Sequence, residues 1–227
     1  MKKRRRSKPM THQKRLSAPR HYPIQRKDQT YITTITGSRK NTDAIPALVF
    51  LRDVTNYAET KKEAKEIIRN GQLLRNNEEV GDVREGVGNL DLIELPDAEE
   101  KFRVVKKKNR LEFLETESDE LVAKITGKKD EGKEYVYHLH NGENYRTSEE
   151  YTVGNTLRLN DGEEAVLEEG AQVLVTDGKH AGKTGELQDI VRQGINPDTA
   201  TVSNGEEFDT RLEYLVATTG LDLGDAQ

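Results

Sequence analysis

Cysteine is absent from all 227 residues, which excludes a disulfide framework, a thiolate zinc site and a cysteine nucleophile, and suits a reducing compartment. Tryptophan is also absent. Aromatic residues make up 5% and hydrophobic residues 33% of the chain, so two or three small domains with thin cores are the expectation. The longest apolar run, Ile45 to Leu51, falls far short of the ~20 residues that cross a bilayer. The basic N-terminus is followed by no apolar stretch of the signal-peptide kind. A soluble cytoplasmic protein without membrane partners is expected.

Acidic residues are scarce only at one end. Residues 1–40 hold 13 Lys or Arg against the single acid Asp28, a charge of +12, which leaves −17 for the remainder of a chain whose total is −5. A basic arm suits phosphate neutralisation, because each cation placed on a phosphate releases condensed counterions. The opening run, with Lys2, Lys3, Arg4, Arg5 and Arg6, has too little apolar surface to fold alone and is expected to stay disordered until it meets a polyanion. In the second half of the arm Pro19 and Pro23 favour extended backbone. There His21 and Tyr22 are candidates for stacking on bases, with Lys14, Arg15, Arg20, Arg26, Lys27, Arg39 and Lys40 as candidate phosphate ligands. The acidic remainder fits a salt-rich cytoplasm, where screening shortens to ~3 Å near 1 M and carboxylates repel RNA little.

The stretch Ile45 to Leu74 predicts two short helices leading into a strand. Thr60 and Glu63 form a capping box, and Gly71 supplies the left-handed stop. Between them Ala64, Ile67 and Ile68 share one face, while Lys61, Lys65 and Arg69 step by four along another. Such a stripe is commonly a solvated face, but here it follows a basic arm. In the first helix Pro46 is placed in the opening turn, and Leu48, Val49, Leu51 and Val54 supply apolar surface. Strands over Gln72 to Arg75 and Asp91 to Leu95 follow through a polar loop, and Pro96 closes a compact α+β module.

Beyond Pro96 the pattern is of short strands. Phe102 to Val105 and Leu111 to Leu114 flank the basic KKKNR of a hairpin tip, and Tyr135 to His140 runs into Asn141-Gly142, a type I′ turn signal. Tyr151 to Leu159 precedes a turn at Asn160-Asp161-Gly162, which completes a small all-β domain. From Glu168 onward, strands at 171–175, 186–191 and 199–202, with a hairpin at Asn204-Gly205, predict a five-strand barrel of SH3-like size. The tail after Gly220 is acidic and expected to be loose.

Two lookalike sites need separate treatment. His138 and His140 share a strand face, yet two histidines without a further ligand do not close a metal site. Gly182-Lys183-Thr184 imitates a phosphate-binding loop, but the first glycine of that motif would fall at Asp177, and a strand rather than a helix should follow. Without βαβ alternation no NTPase is expected, and no cofactor. The same glycines suit a tight turn that projects Lys179, His180 and Lys183 toward a polyanion.

KRLSAPRHYPIQRK, LRDV through EAKEIIRNGQLL, and EGAQVLVTDGKHAGKTGEL occur in that order. They resemble, respectively, the N-terminal motif, the S-four-type RNA-binding domain and the KOW motif of the archaeal and eukaryotic small-subunit ribosomal protein S-four-e family. YHLHNGENY and YTVGNTLRL resemble the central β domain of that family. The resemblance implies a basic extension over 1–41, an S-four-type domain over 42–96, a central β domain over 97–167, a KOW domain over 168–220 and a tail over 221–227. It implies an α+β protein that is not an enzyme, binds small-subunit ribosomal RNA beside neighbouring ribosomal proteins, and is not a homo-oligomer. Carried onto this chain, it places RNA contact at Lys14, Arg15, Arg20 and His21, at Arg52, Thr60, Lys61, Lys62, Lys65 and Arg69, and at Lys179, His180 and Lys183. Asn76-Asn77-Glu78-Glu79 departs from the basic or neutral turn common in the family, which argues against RNA there. An RNA-modifying enzyme and a KOW-type transcription or translation factor are the rival readings. The first would need a catalytic domain for which the two β units leave no room.

Overall fold

The computed structural model describes residues 13–221 and 223, and the predicted contacts at Lys2, Lys3, Arg4, Arg5 and Arg6 lie outside them. The chain is mostly β with few helices. Strands β1 (Gln13–Lys14) and β2 (Tyr31–Ile32) pair antiparallel, and β3 (Ala44–Pro46) enters the first helical turn. That turn is α1 (Ala47–Val49), continued by a π-helical turn over Phe50–Val54. Pro46 is extended and caps the helix instead of lying within it. It can do so because β3 is an edge strand that needs few N–H donors.

Helix α2 (Lys61–Arg69) follows its sequence signals closely. The Thr60 hydroxyl accepts the Glu63 N–H at 3.3 Å, and the Glu63 carboxylate accepts the N–H groups of Glu59 at 2.8 Å and Thr60 at 3.4 Å. At the other end Gly71, at φ 68°, and Gln72 return N–H bonds to the carbonyls of Ile68 and Ile67, a Schellman closure. Ala64 and Ile68 are buried against Leu48, Leu51 and Leu73.

Strands β4 (Leu74–Arg75), β5 (Glu78–Glu79), β6 (Gly86–Gly88), β7 (Leu92–Leu95), β8 (Glu100–Lys107) and β9 (Arg110–Glu115) follow. Five of them form a sheet in the order β5-β4-β7-β8-β9, while β6 pairs with β3. The basic hairpin is therefore continuous with the helical module: Pro96 starts a single 3₁₀ turn that feeds β7 directly into β8. The acidic turn at Asn76-Asn77, predicted as part of a loop, is a hairpin with both residues left-handed. The tip Lys108-Asn109 has the same form. Two-residue turns of this hand match strand twist, and asparagine tolerates the conformation.

A second five-stranded sheet has the order β12-β11-β10-β13-β14, from β10 (Val122–Asp130), β11 (Tyr135–Leu139), β12 (Asn144–Thr147), β13 (Thr156–Arg158) and β14 (Glu164–Ala165). Its Asn141-Gly142 turn is not type I′, since Gly142 alone has positive φ. Asn141 instead uses its side chain, accepting the Glu143 N–H at 2.9 Å. The third sheet, in the order β18-β17-β16-β15-β19, contains β15 (Gln172–Val175), β16 (Thr184–Val191), β17 (Thr199–Ser203), β18 (Glu207–Arg211) and β19 (Leu215–Ala217). Five strands were expected, but β18 and β19 lie at opposite edges, so the ladder is open and not a closed barrel among the described residues. The three sheets meet at Leu90, Val105, Val122, Leu174 and Val216. Leu221 and Leu223 are buried in the same cluster, so the start of the tail is anchored by apolar burial and not loose.

Candidate nucleic-acid interface

The part of the basic arm from Gln13 onward is folded against the body. Arg15 is 1% exposed, its guanidinium donating to Asp53 at 2.8 Å and to the Gln25 carbonyl at 2.6 Å. His21 is 4% exposed and shares a 3.1 Å hydrogen bond with the Ala44 carbonyl, and its pKa is lowered chiefly by burial. Tyr22 is buried, and its hydroxyl donates to Asn41 at 2.9 Å. The two rings meet edge to face with centroids 4.9 Å apart. They pack in the core instead of stacking on bases, because an arm with Ala18, Tyr22 and Ile32 has enough apolar surface to be held there. Arg26 spans the Ala18 and Pro19 carbonyls at 2.5 and 2.8 Å, and Arg39 pairs with buried Asp91. Arg52 bonds Asp53 at 2.9 Å. Arg15, Arg39 and Arg52 thus spend their charge inside the protein, and Arg26 staples the chain. Lys14, Arg20, Lys27 and Lys40 remain exposed.

On α2 the lysine edge is open. Lys61, Lys62, Lys65 and Arg69 are exposed, and none has an ion-pair partner among the described residues. Thr60 is engaged as the helix cap.

The glycine-rich loop joins β15 to β16, so a strand follows it as the spacing required. Gly178 and Gly182 have φ of 83° and 84°. A Cβ at Gly182 would collide with the Lys107 side chain and lie 3.1 Å from the Lys106 carbonyl oxygen. Gly182 therefore serves close packing against the β8–β9 hairpin. That contact is reinforced by the Lys108 N–H donating to the Ala181 carbonyl at 3.4 Å and by buried Lys106 pairing with Asp177 at 2.8 Å. On the hairpin's other side the His21 carbonyl accepts the Leu111 N–H at 3.0 Å. Ala181 and Gly182 thus lie against Lys107 and Lys108, and Lys107, Lys108 and Arg110 have no ion-pair partner among the described residues. Within the loop His180 stacks on Phe208 with centroids 4.3 Å apart and an angle of 19°, and the Lys183 ammonium is 5.1 Å from the same ring. Burial and the ammonium groups of Lys183 and Lys179 lower the His180 pKa.

Sequence reasoning saw KKKNR as a hairpin tip but not as a partner of the loop. The run of cations at a turn was visible, and the register that joins it to Gly182 was not. His138 and His140 do not converge. His138 meets Asn144 at 2.6 Å on the surface, whereas His140 accepts the Lys124 N–H at 3.2 Å and meets the Asn89 carbonyl at 3.1 Å. No group of three or more potential metal ligands occurs among the described residues.

No family model matches the chain. The small ribosomal subunit protein eS4 of Natronomonas pharaonis is 32% identical over 221 residues, covering 90% of this chain and 93% of that protein. The eS4 proteins of Methanocaldococcus jannaschii and Archaeoglobus fulgidus are 31% and 34% identical over 227 and 219 residues, each covered to 93%. The crystal structure of the 30S ribosomal protein S4e from Thermoplasma acidophilum is similar in fold, with a TM-score of 0.64 at 20% identity over 80% of this chain and 99% of that one. With sequence similarity running through nearly the whole chain and an S4e fold beneath it, the protein belongs to the small ribosomal subunit protein eS4 family.

Proposed function

We propose that the chain is a structural component of the small ribosomal subunit, ribosome-bound in the cytoplasm, and that it holds ribosomal RNA by distributed charge and asks no residue to do chemistry. The observation that carries the site is the run of exposed cations Lys61, Lys62, Lys65 and Arg69 along α2, unpaired among the described residues, whose opposite face is fixed in the core by Ala64 and Ile68. Phosphate contact at these positions gives affinity with little sequence reading. The helices with β4 to β7 act as the S-four-type module, and the sheet ladder favours counting the 100–115 hairpin with it. The second sheet is the central β domain, and the third, with its glycine loop at 177–185, is the KOW-type domain. Arg15 and His21 support this reading as fold residues, while Arg20, Lys27 and Lys40 stay candidates for phosphate.

The test is sedimentation. In lysates of cells expressing the chain from its own gene, it should travel with the small subunit through a high-salt wash in near-stoichiometric amount. Recovery mainly as free protein, or with RNA polymerase, would favour a KOW-type factor and end this reading.

A further inference from the structure

We infer that the turn between β17 and β18 is a site of spontaneous covalent modification, at which Asn204 closes on the Gly205 nitrogen and becomes aspartate or isoaspartate. The inference is independent of the proposed RNA-binding role. In this reaction the backbone nitrogen after an asparagine, having lost its proton, attacks the side-chain Cγ. A C–N bond forms, the Cγ–Nδ2 bond breaks, and the lost proton reappears on the departing ammonia. Water then opens the cyclic imide at Cγ, giving aspartate, or at the backbone carbonyl carbon, giving isoaspartate, with no oxidant or reductant needed. A following glycine favours closure, because it has no Cβ to hinder the nitrogen and adopts backbone angles closed to other residues.

Asn-Gly occurs three times, and the fold treats the three differently. Asn141 is 2% exposed; its side chain donates to Glu143 Oε2 at 2.7 Å and accepts the Glu143 N–H at 2.9 Å, while the Gly142 N–H is donated to the Leu139 carbonyl at 3.1 Å. Asn70 is exposed, but the Gly71 N–H closes α2 on the Ile68 carbonyl at 3.1 Å, and the Asn70 backbone is held at φ −83° and ψ 3°. At both sites the attacking nitrogen must first leave a hydrogen bond, which requires local opening. Asn204, Gly205 and Glu206 instead bridge the paired residues Ser203 and Glu207 as an exposed turn, fixed by the Asn204 N–H donating to the Glu206 carbonyl at 3.2 Å. Among the described residues nothing accepts the Gly205 N–H and nothing holds the Asn204 amide, and no atom lies within 4 Å of where a Gly205 Cβ would stand. Attack there breaks no hydrogen bond. Conversion adds a carboxylate beside the exposed Glu206 and Glu207, and isoaspartate lengthens the backbone of the turn.

The test incubates the full chain at mildly alkaline pH, in buffer and in urea, and follows its tryptic fragments by mass spectrometry against an unincubated sample. The three dipeptides fall in separate fragments, 70–75, 134–146 and 193–211. Isoaspartate is read by methyl transfer from S-adenosylmethionine, catalysed by an isoaspartyl methyltransferase. In buffer Asn204 should convert at least about tenfold faster than Asn141 and Asn70, because only the latter two wait on local opening. In urea, where no site is folded, the three rates should draw together. Asn204→Gln changes an exposed side chain with no hydrogen-bond partner among the described residues, so it should remove the fast phase and leave the melting temperature unchanged. Equal rates in buffer, or a fast phase that survives Asn204→Gln, overturn the inference. A preference for Asn204 that persists undiminished in urea overturns the assignment of that preference to the fold. None of these outcomes touches the ribosomal reading, which sedimentation tests separately.

Discussion

Acid should loosen the packing of the first and second sheets through His140. Its Nδ1 accepts the Lys124 N–H at 3.2 Å, so the ring proton sits on Nε2 and is donated to the Asn89 carbonyl at 3.1 Å. A second proton would set one N–H against another. Burial first, and then the Arg39 guanidinium, lower its pKa to about 4 from 6.5. Between those values the unfolded chain binds more protons than the folded one. The contribution is therefore complete above pH 6.5, is lost as pH falls, and levels off below about 4. At about 1.4 kcal/mol per pH unit the full loss is about 3 kcal/mol, of which about 2 kcal/mol has gone by about pH 5. Urea midpoints at about pH 7.5 and about pH 5, for the unaltered chain and His140→Gln, isolate the effect, because every other group, lowered His21 included, titrates in both. The unaltered chain should lose about 2 kcal/mol more than the variant between the two conditions. Losses that agree within about 0.5 kcal/mol, or an NMR titration of the ring near its ordinary value, would show that the fold does not hold His140 neutral.

Substitutions at three positions and one solvent change test the rest. Arg15→Ala should cost about 2–4 kcal/mol, read by urea denaturation, because it removes a buried partner of Asp53 and a backbone bond to Gln25; a change below about 1 kcal/mol would mean that the arm is not fixed there. Gly182→Ala should cost about 2 kcal/mol, from left-handed backbone and collision with Lys106 and Lys107 at the end of β8, and a neutral result would dissolve the clamp between hairpin and loop. Thr60→Ala should lower stability by about 1 kcal/mol and Thr60→Asp should restore it, whereas RNA affinity falling equally in both would show that Thr60 touches RNA. Raising KCl from about 0.1 to about 1 M should raise the melting temperature, since screening relieves repulsion within the −17 body, and a constant melting temperature would remove the salt-rich-cytoplasm argument.

Local signals in this sequence were legible where the chemistry itself is local. The cap at Thr60 and Glu63, the stop at Gly71 and the return strand after the glycine loop each depend on a few consecutive residues, and each is present. Asn141-Gly142 misled because the Asn141 side chain offered the backbone a competing turn. At Pro96 the local signal was open for a different reason. A proline that can end an element can also start the 3₁₀ turn joining two strands of one sheet, and only the pairing of Leu95 with Glu100 decides between them.

Charge was the least legible quantity, because its role depends on what lies opposite in space. Lys106, Lys107 and Lys108 are consecutive. Lys106 is buried on Asp177, Lys107 lies over Gly182, and Lys108 is exposed at the turn. Arg15 and Arg20 stand in one motif, and one is buried against Asp53 while the other is exposed. A basic composition therefore bounds the number of phosphates the chain can meet without saying which cations meet them. The acids that absorb the remainder, Asp53, Asp91 and Asp177, lie 38, 52 and 71 residues from their partners Arg15, Arg39 and Lys106. Those pairings organise the fold, and the proposed RNA contacts are to be sought among the exposed cations they leave over, on α2 and at Arg20, Lys27 and Lys40 as well as at the turns.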